Sequence, residues 1–505
     1  MERNFYELKE YISLLEEEGL IDQIFAEEED LKKRVRHVSY SSKDIGFNTL
    51  FICKGAHFSE GYLHEALGKG AFAYVSENKY NVDAPCIKVD DIRKVMPLIA
   101  DFFYERVWRR ICIAGVTGTK GKSTTAYYMK SILDQYLKAS KKPESAIISG
   151  IDNYDGIIKE ESHLTTPEAL MLHRHFDNAV KSGIEYISME VSSQALKYHR
   201  TKGIIFDVAC FLNLGTDHIS DIEHQSFEDY SSSKLIFFRQ CKAACVNLDD
   251  DYADKVISEA KKSKVTEKII TFGSHENANI HGYDLKPGKK GITFKVRTDS
   301  FDTEFEIGMT GLFNVSNALA AISMSYALDI PLEYIKSGLK KARAAGRMEI
   351  FHNEDETLTV VVDYAHNQMS FESLFASTKK EYPGKKIFIV FGCPGKKALG
   401  RRKELGDIAG EYADKSFITE EDAGEEPVRE ISEEIVSHIK EQGGNCVMID
   451  DREEAIKRAI NEADGDTVIL ITGKGRETRQ KRGIEYIETP SDVEYVLRFL
   501  KEKKC

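Results

Sequence analysis

The sequence predicts an α/β protein of three domains: a smaller N-terminal α/β domain, a central P-loop domain on a parallel or mixed sheet, and a C-terminal Rossmann-like domain. Three observations carry this expectation. A chain of 505 residues is too long for one hydrophobic core, and at ordinary domain sizes it divides into about three or four units. From about residue 110 onward, apolar runs of strand length alternate with longer amphipathic stretches, the pattern of crossover units that feed a largely parallel sheet. A glycine-rich segment lies between one of those strands and a helical stretch, at the strand end where open α/β sheets place their ligands.

In chain order, the first hundred or so residues read as the mixed domain, 1–108. The central domain, 109–345, carries buried strands at Ile111–Val116, Glu185–Val191, Asp207–Asn213 and Ala243–Asn247. A second series, Leu358–Asp363, Lys386–Gly392, Lys415–Thr419, Asn445–Asp450 and Thr467–Gly473, forms the sheet of 346–505. No internal repeat, low-complexity tract or proline-rich linker marks the junctions, so the boundaries near Arg109 and Gly346 rest on where the patterns restart.

Composition excludes several classes. Hydrophobic residues at 42% and charged residues at 30% suit a water-soluble globular chain, and no apolar run approaches bilayer-spanning length. The stretch Met1–Leu8 lacks the basic segment and apolar core of a signal peptide, so the expected location is cytoplasmic. Nine cysteines, odd in number and without a C-x-x-C pair, argue against a disulfide framework and against a zinc ribbon. A formal charge of −13 leaves no excess of Lys and Arg to neutralise a nucleic-acid backbone. The expected partners are small molecules, with no nucleic acid, no membrane and a monomeric chain.

The strongest local signal is Gly115-Val116-Thr117-Gly118-Thr119-Lys120-Gly121-Lys122-Ser123-Thr124-Thr125, followed by a helical stretch Ala126–Leu137. Glycines let backbone N–H groups close around phosphate oxygens, a helix N-terminus adds a positive dipole end, Lys122 brings charge, and Ser123 can ligate Mg²⁺. Val116 occupies the first glycine position of the strict G-x-x-x-x-G-K-[ST] pattern, and the glycines fall instead at 115, 118 and 121. The bland alternative is a turn that only joins strand to helix.

That G-x-x-G-x-x-G-K-S-T form resembles the ATP loop of the Mur ligase family. The likeness continues in family order through Leu164–Glu168, Met189–Leu196, Asn213–His218, Tyr230–Lys234, Gly311–Asn317, Gly346–Glu349, Asp363–Asn367 and Gly473–Glu477. It implies an ATP-dependent ligase that joins a carboxylate to an amine through an acyl-phosphate, with ATP as co-substrate and Mg²⁺ as cofactor. Within the family it points to the enzymes that add a third amino acid to UDP-N-acetylmuramoyl-L-alanyl-D-glutamate in peptidoglycan precursor synthesis. Two other readings stand beside it: another ligase of the superfamily, acting on a folate or a poly-amino acid, and a P-loop ATP sensor that does not ligate.

The resemblance also implies roles for residues. Gly118, Thr119, Lys120, Gly121, Lys122, Ser123 and Thr124 would hold the phosphates, and Asn247, Asn314, Arg347 and Asp363 the base and ribose. Lys122, Glu190, His218 and Lys234 would be catalytic. Ser123 and Thr165 suit one Mg²⁺; Glu190 and His218 suit a second between the γ-phosphate and the substrate carboxylate, with Lys234 carbamylated into an anionic ligand. Asp217 orients His218 or caps the following turn. Asn314 and Asn317 also read as helix caps, and the role of His366 is open.

Ser42, Thr165, Thr166, Ser192 and Arg200 would bind the UDP-muramoyl peptide, since hydroxyls and a guanidinium suit a diphosphate and a carboxylate. Ser42 rests on the weakest match, and Gln194 and Tyr198 depart from the family's usual histidine and glutamine. For the incoming amino acid, Arg402 matches the arginine that holds the α-carboxylate, with Glu477 placed at an amino group and Gly473 also among the residues that bind the amino acid. Where the diaminopimelate-adding members carry Asp-Asn-Pro-Arg, this chain has Thr419–Pro427, with Glu420, Glu421, Asp422, Glu425 and Glu426 inside seven residues. Such a run attracts a side-chain ammonium and repels a distal carboxylate, so Glu421 and Asp422 are read as selecting L-lysine or ornithine over meso-diaminopimelate. The same run also suits the solvated start of a helix from Pro427.

Overall fold

A computed structural model of the chain describes residues 4–55, 58–215, 224–288 and 291–503. Helices and parallel-rich sheets alternate along it, and three sheets dominate.

The first sheet has five strands in the order Ile21–Phe25, Cys86–Val89, Ala71–Ser76, Thr49–Ile52 and His37–Ser39. Neighbours run parallel except the first pair. The helix Leu8–Glu17 shows how sequence sets packing here: Leu8, Tyr11, Ile12 and Leu15 repeat at helical spacing and are the residues it buries. A capping box between Glu7 and Glu10 closes its first turn. With Ile92–Phe103 it covers one face of the sheet, and Glu60–Lys69 covers the other.

The second sheet has eleven strands. Its parallel centre runs Ala146–Ile148, Tyr186–Glu190, Cys112–Thr117, Phe206–Phe211, Cys241–Asn247 and Lys268–Gly273. Cys112–Thr117 lies between Tyr186–Glu190, which follows it in the chain, and Phe206–Phe211, which follows later on the opposite side. The chain order reverses direction at this strand, and in open α/β sheets that is where a crevice opens. Antiparallel strands finish both edges, Asp152–Tyr154 and Lys159–Glu161 at one, Gly291–Arg297 and Asp302–Ile307 at the other. The helix Lys122–Ala139 packs on this sheet against Asn314–Ala327 and Leu332–Lys341. Gly338 permits the second contact: a Cβ there would lie 2.4 Å from the Cα of Ile132.

The third sheet orders Glu349–His352, Thr359–Asp363, Thr467–Thr472, Lys386–Phe391, Lys415–Ile418 and Cys446–Met448, parallel throughout except the first strand. Val361, Ile389 and Leu470 face one core, while Val360, Val362, Ile469 and Ile471 face another. Burial on both faces explains why these strands read as unbroken apolar runs. A hairpin, Arg479–Arg482 with Glu485–Glu488, follows this sheet.

Each strand anticipated from the sequence is present with its ends displaced by no more than two residues: six are shorter, Ile111–Val116 lies one residue further on, Asp207–Asn213 runs instead from Phe206 to Phe211, and Ala243–Asn247 begins earlier, at Cys241. The phosphate-loop helix begins four residues before the expected Ala126, because its first turn, Lys122–Thr125, is polar and hides from hydrophobic periodicity. Among the described residues no helix is long and apolar enough to cross a membrane.

Candidate active site

The strand Cys112–Thr117 delivers the glycine-rich loop to the crevice, and each glycine there has a separate steric reason. A Cβ on Gly115 would lie 2.7–2.9 Å from the rings of Phe237 and Phe206, and one on Gly118 would lie 2.9 Å from Leu212. Gly121 has φ +83°, and a Cβ there would meet Asn317 Oδ1 at 2.1 Å. Asn213, at the end of the neighbouring strand, fixes the loop from the side: Lys120 N donates to its Oδ1 at 2.8 Å, and Thr119 N to its carbonyl at 3.0 Å. The Lys122 ammonium folds back onto the carbonyls of Gly118 and Thr119, at 2.9 and 3.2 Å. The first-turn N–H groups of the 18-residue helix that follows lack intrahelical partners, so this loop is an anion cradle.

A cavity of about 410 Å³ opens over the loop. Thr119, Lys120, Gly121, Lys122, Ser123 and Thr124 form its floor, Gly150, Thr165 and Glu190 one wall, Asn314 and Asn317 another, and Arg347, Asp363, Tyr364 and His366 its far side. It therefore joins the central sheet to the third sheet.

The wall bearing Glu190 suits a hard cation. Glu190 is 2% exposed; its Oε1 accepts from Gly150 N at 2.7 Å, and among the described residues no Lys or Arg pairs with it. A buried carboxylate without a cation is costly. A Cβ built on Gly150 would lie 3.4 Å from Thr165 Oγ1 and 3.6 Å from Glu190 Oε1, so both oxygens border Gly150. Oxygen donors on Glu190, Thr165 and Ser123 around an anion cradle fit Mg²⁺. Lys234 does not line the cavity; it is 2% exposed beneath the loop, donating to Gly118 O at 3.1 Å, with its ammonium 4.6 Å from the Tyr230 ring. His218 and Asp217 lie outside the described residues.

On the far side Arg347 reaches back, its Nη2 donating to Ser123 Oγ at 3.3 Å. Asp363 accepts from Met348 N and Ala365 N at 2.9 and 2.8 Å, and burial, opposed by Arg347, raises its carboxyl. Asn314 donates to Thr310 O at 2.6 Å and accepts from Asn317. Asn247 is not part of the lining; its amide bridges Leu212 O and Asp249 N at 2.8 and 3.1 Å.

The family described as the Mur ligase middle domain matches residues 116–325, and that described as the Mur ligase glutamate ligase domain matches 346–475. A UDP-N-acetylmuramyl-tripeptide synthetase of Ligilactobacillus salivarius is 35% identical, covering 98% of this chain and 99% of that protein. The chain belongs to the Mur ligase family. Two further relatives differ in the amino acid their names carry. A 2,6-diaminopimelate ligase of Clostridium acetobutylicum is 34% identical over 94% of this chain and 96% of its own length. An L-lysine ligase of Enterococcus faecalis is 35% identical over 89% and 88%. A solved structure of a UDP-N-acetylmuramoyl-L-alanyl-D-glutamate–2,6-diaminopimelate ligase superposes with a TM-score of 0.68 at 24% identity, covering 99% of each chain. This Mur ligase is thus an ATP-dependent amide ligase of the family's α/β architecture.

Among the residues matched to the UDP-muramoyl peptide, Thr166 is fully buried, donating to Glu190 O and accepting from Ser192 N, both at 3.0 Å. Ser192 caps the helix Ser193–Lys197 through Ala195 N. Arg200 donates to Thr166 O at 3.0 Å and pairs with Glu168 at 2.8 Å, and Glu168 also meets Lys54 of the first sheet's layer at 2.5 Å. Ser42 stands apart, its hydroxyl donating to Glu65 at 2.7 Å.

The acidic run is mostly compensated, which the sequence expectation did not include. Glu420 pairs with Arg482 at 2.5 Å, Asp422 with Lys474 at 3.0 Å, Glu425 with Lys396 at 3.0 Å and Glu426 with Arg402 at 2.7 Å. Arg402 also holds Glu434 at 2.8 Å, and the helix Val428–Glu441 does start after Pro427. Glu421 alone in the run has no ion pair among the described residues. It packs on Gly473, where a Cβ would meet its Oε2 at 2.2 Å. Burial, opposed by Arg452 and Lys474, raises its carboxyl from 4.5 to about 7.

Because the folded value lies above the unfolded one, Glu421 costs nothing below pH 4.5, and stability is lost as pH rises towards 7. The stability gap between Glu421→Gln and the parent chain is therefore expected to widen in the variant's favour between pH 4.5 and 7 and to stay level above. Thermal melts across that range check it; a variant that is less stable at pH 8 would show the buried charge to be stabilised.

Asn213, Asn317, Tyr230 and Tyr364 shape the site without having been given a ligand role in the sequence reading. Their motifs were visible, but which atoms they serve depends on contacts with distant elements.

Proposed function

We propose that this Mur ligase adds a third amino acid, L-lysine or a close diamino analogue, to UDP-N-acetylmuramoyl-L-alanyl-D-glutamate in peptidoglycan precursor synthesis. It would work as a monomer in the cytoplasm. The observation that carries the reading is a cavity in which a phosphate loop, a buried carboxylate with no ion pair among the described residues and Arg347 from the third sheet's layer face one another. In this reading residues 1–108 hold the nucleotide sugar, 109–345 hold ATP and 346–505 hold the amino acid.

Joining a carboxylate to an amine in water is uphill, so the substrate carboxylate oxygen attacks the γ-phosphorus of ATP. The bond to ADP breaks and an acyl-phosphate forms. The amine nitrogen then attacks the acyl carbon, loses a proton and expels phosphate. Both steps bring anions together, and the chain's answer is to surround them with fixed donors and cations. The loop N–H groups and Lys122 hold the β- and γ-phosphates. Arg347, reaching Ser123 from the third sheet's layer, completes the cradle only when the two layers are closed, which also excludes water from the acyl-phosphate. Two Mg²⁺ ions, one held by Ser123 and Thr165 and a second by Glu190 and His218 with a carbamylated Lys234 as a further anionic ligand, would neutralise the transferring phosphoryl group.

Glu421 supports the choice of a basic side chain. With its neighbours paired internally, it is the carboxylate of the run left to meet an ammonium, and a carboxyl poised near neutrality gains most from one. Relatives named for lysine and for diaminopimelate are equally similar, so the test is a panel. ADP formation is measured with the UDP-muramoyl dipeptide and each of L-lysine, L-ornithine and meso-diaminopimelate. L-lysine or ornithine is expected to exceed meso-diaminopimelate by about tenfold or more in kcat/KM. A preference for meso-diaminopimelate would overturn the side-chain assignment, and ADP release with ATP alone would overturn the ligase.

A further inference from the structure

Tyr364 follows the strand Thr359–Asp363 and lies between two groups, Arg347 and Glu477, that the family resemblance assigns to different substrates. On one side its ring carries the Arg347 guanidinium, 4.3 Å from the centroid, and Arg347 in turn donates to Ser123 of the phosphate loop. On the other side its hydroxyl donates to Glu477 Oε1 at 2.5 Å. The second Glu477 oxygen meets the Lys474 ammonium at 2.8 Å, and Lys474 is tied to Asp422 at 3.0 Å. Tyr364 is itself held: His366 packs edge-on at 5.0 Å and bonds the Tyr364 carbonyl through Nδ1 at 2.7 Å.

We infer that Tyr364 is a positioning residue for the incoming amine, fixing the Glu477 carboxylate through its hydroxyl while its ring seats Arg347 over the phosphate loop. This rests on the reading of Glu477 as the carboxylate that receives the amino group. A carboxylate has about four acceptor positions. The phenol and the Lys474 ammonium take two and leave the rest directed by these two holders. Without the phenol, Lys474 is the strongest neighbour remaining, and a charge-assisted pair would draw Glu477 towards it and away from a substrate. The two halves of Tyr364 are separable by chemistry, because phenylalanine keeps the ring and loses only the hydroxyl.

Tyr364→Phe is expected to raise the amino-acid KM by about ten- to a hundredfold, the range for a hydrogen bond to a charged group, with the ATP KM within about twofold of the parent. Tyr364→Leu, which removes the ring as well, is expected to raise both. In a Glu477→Gln background, Tyr364→Phe should change the amino-acid KM by less than about twofold, since coupled residues are not additive. Thermal midpoints separate these effects from loss of fold, and the paired background keeps the test informative if the single variant is destabilised. An unchanged amino-acid KM in Tyr364→Phe, an equal rise in both constants, or full additivity with Glu477→Gln overturns the inference. Failure of the ligase reading shows instead in the parent chain, as turnover that needs no amino acid.

Discussion

Lys122→Ala is expected to abolish ligation, with kcat lowered by about a thousandfold or more. The ammonium is a cation built into the loop floor beside Lys120, and its removal leaves the β- and γ-phosphates less compensated where charge builds during transfer. The structure adds a second loss. Lys122 donates to the carbonyls of Gly118 and Thr119, so alanine also releases the turn that aims the N–H groups. Lys122→Arg keeps the charge but replaces a compact ammonium with a planar fork, and is expected to fall between the two. Single-turnover ADP formation checks this, with circular dichroism to establish that the variant folds. Ligation near the parent rate in Lys122→Ala would sink the assignment of the loop.

Lys234→Ala carries the second large effect, a loss of about a hundredfold or more that added formate or acetate partly restores. At 2% exposure beneath the loop, Lys234 is not a solvated surface charge. Two roles then compete. As an ammonium it supports the Gly118 carbonyl; as a carbamate it presents an anion towards a metal. A small carboxylate replaces the second and not the first, so recovery of at least about tenfold with formate supports the carbamate. Loss of activity with no rescue, together with weakened nucleotide binding, assigns Lys234 to the loop instead. Unchanged activity refutes both.

Much of this could be read from the sequence because the relevant signals are local. Buried parallel strands announce themselves as apolar runs, and Val360, Val362, Ile469 and Ile471 needed no partner to be recognised. The phosphate loop is equally local, its glycines and Lys-Ser lying within eleven residues. What escaped depends on partners far along the chain. The acidic run looked like a pool of unpaired charge because Arg482, which neutralises Glu420, stands 62 residues away and Lys474, which holds Asp422, 52. Asn247 sits at a strand end, where ligand residues are common, yet its amide is taken up by Leu212 and Asp249. One of the antiparallel strands at the edges of the central sheet escaped for a different reason. Lys159–Glu161 is exposed throughout and carries no hydrophobic alternation to read.

The asparagines that shape the phosphate loop bear on the order of folding. Asn213 lies 93 residues beyond the Lys120 N–H it accepts from, and Arg347 lies 224 beyond the Ser123 it reaches. Asn317 presses on Gly121 from the helix Asn314–Ala327. Contacts of such separation form only after the intervening chain has collapsed, since loop closure must be met before they repay it. Nucleotide affinity is therefore acquired late, once the central sheet has closed around its own phosphate loop. The eleven residues of the motif would not carry that affinity with them if transplanted alone.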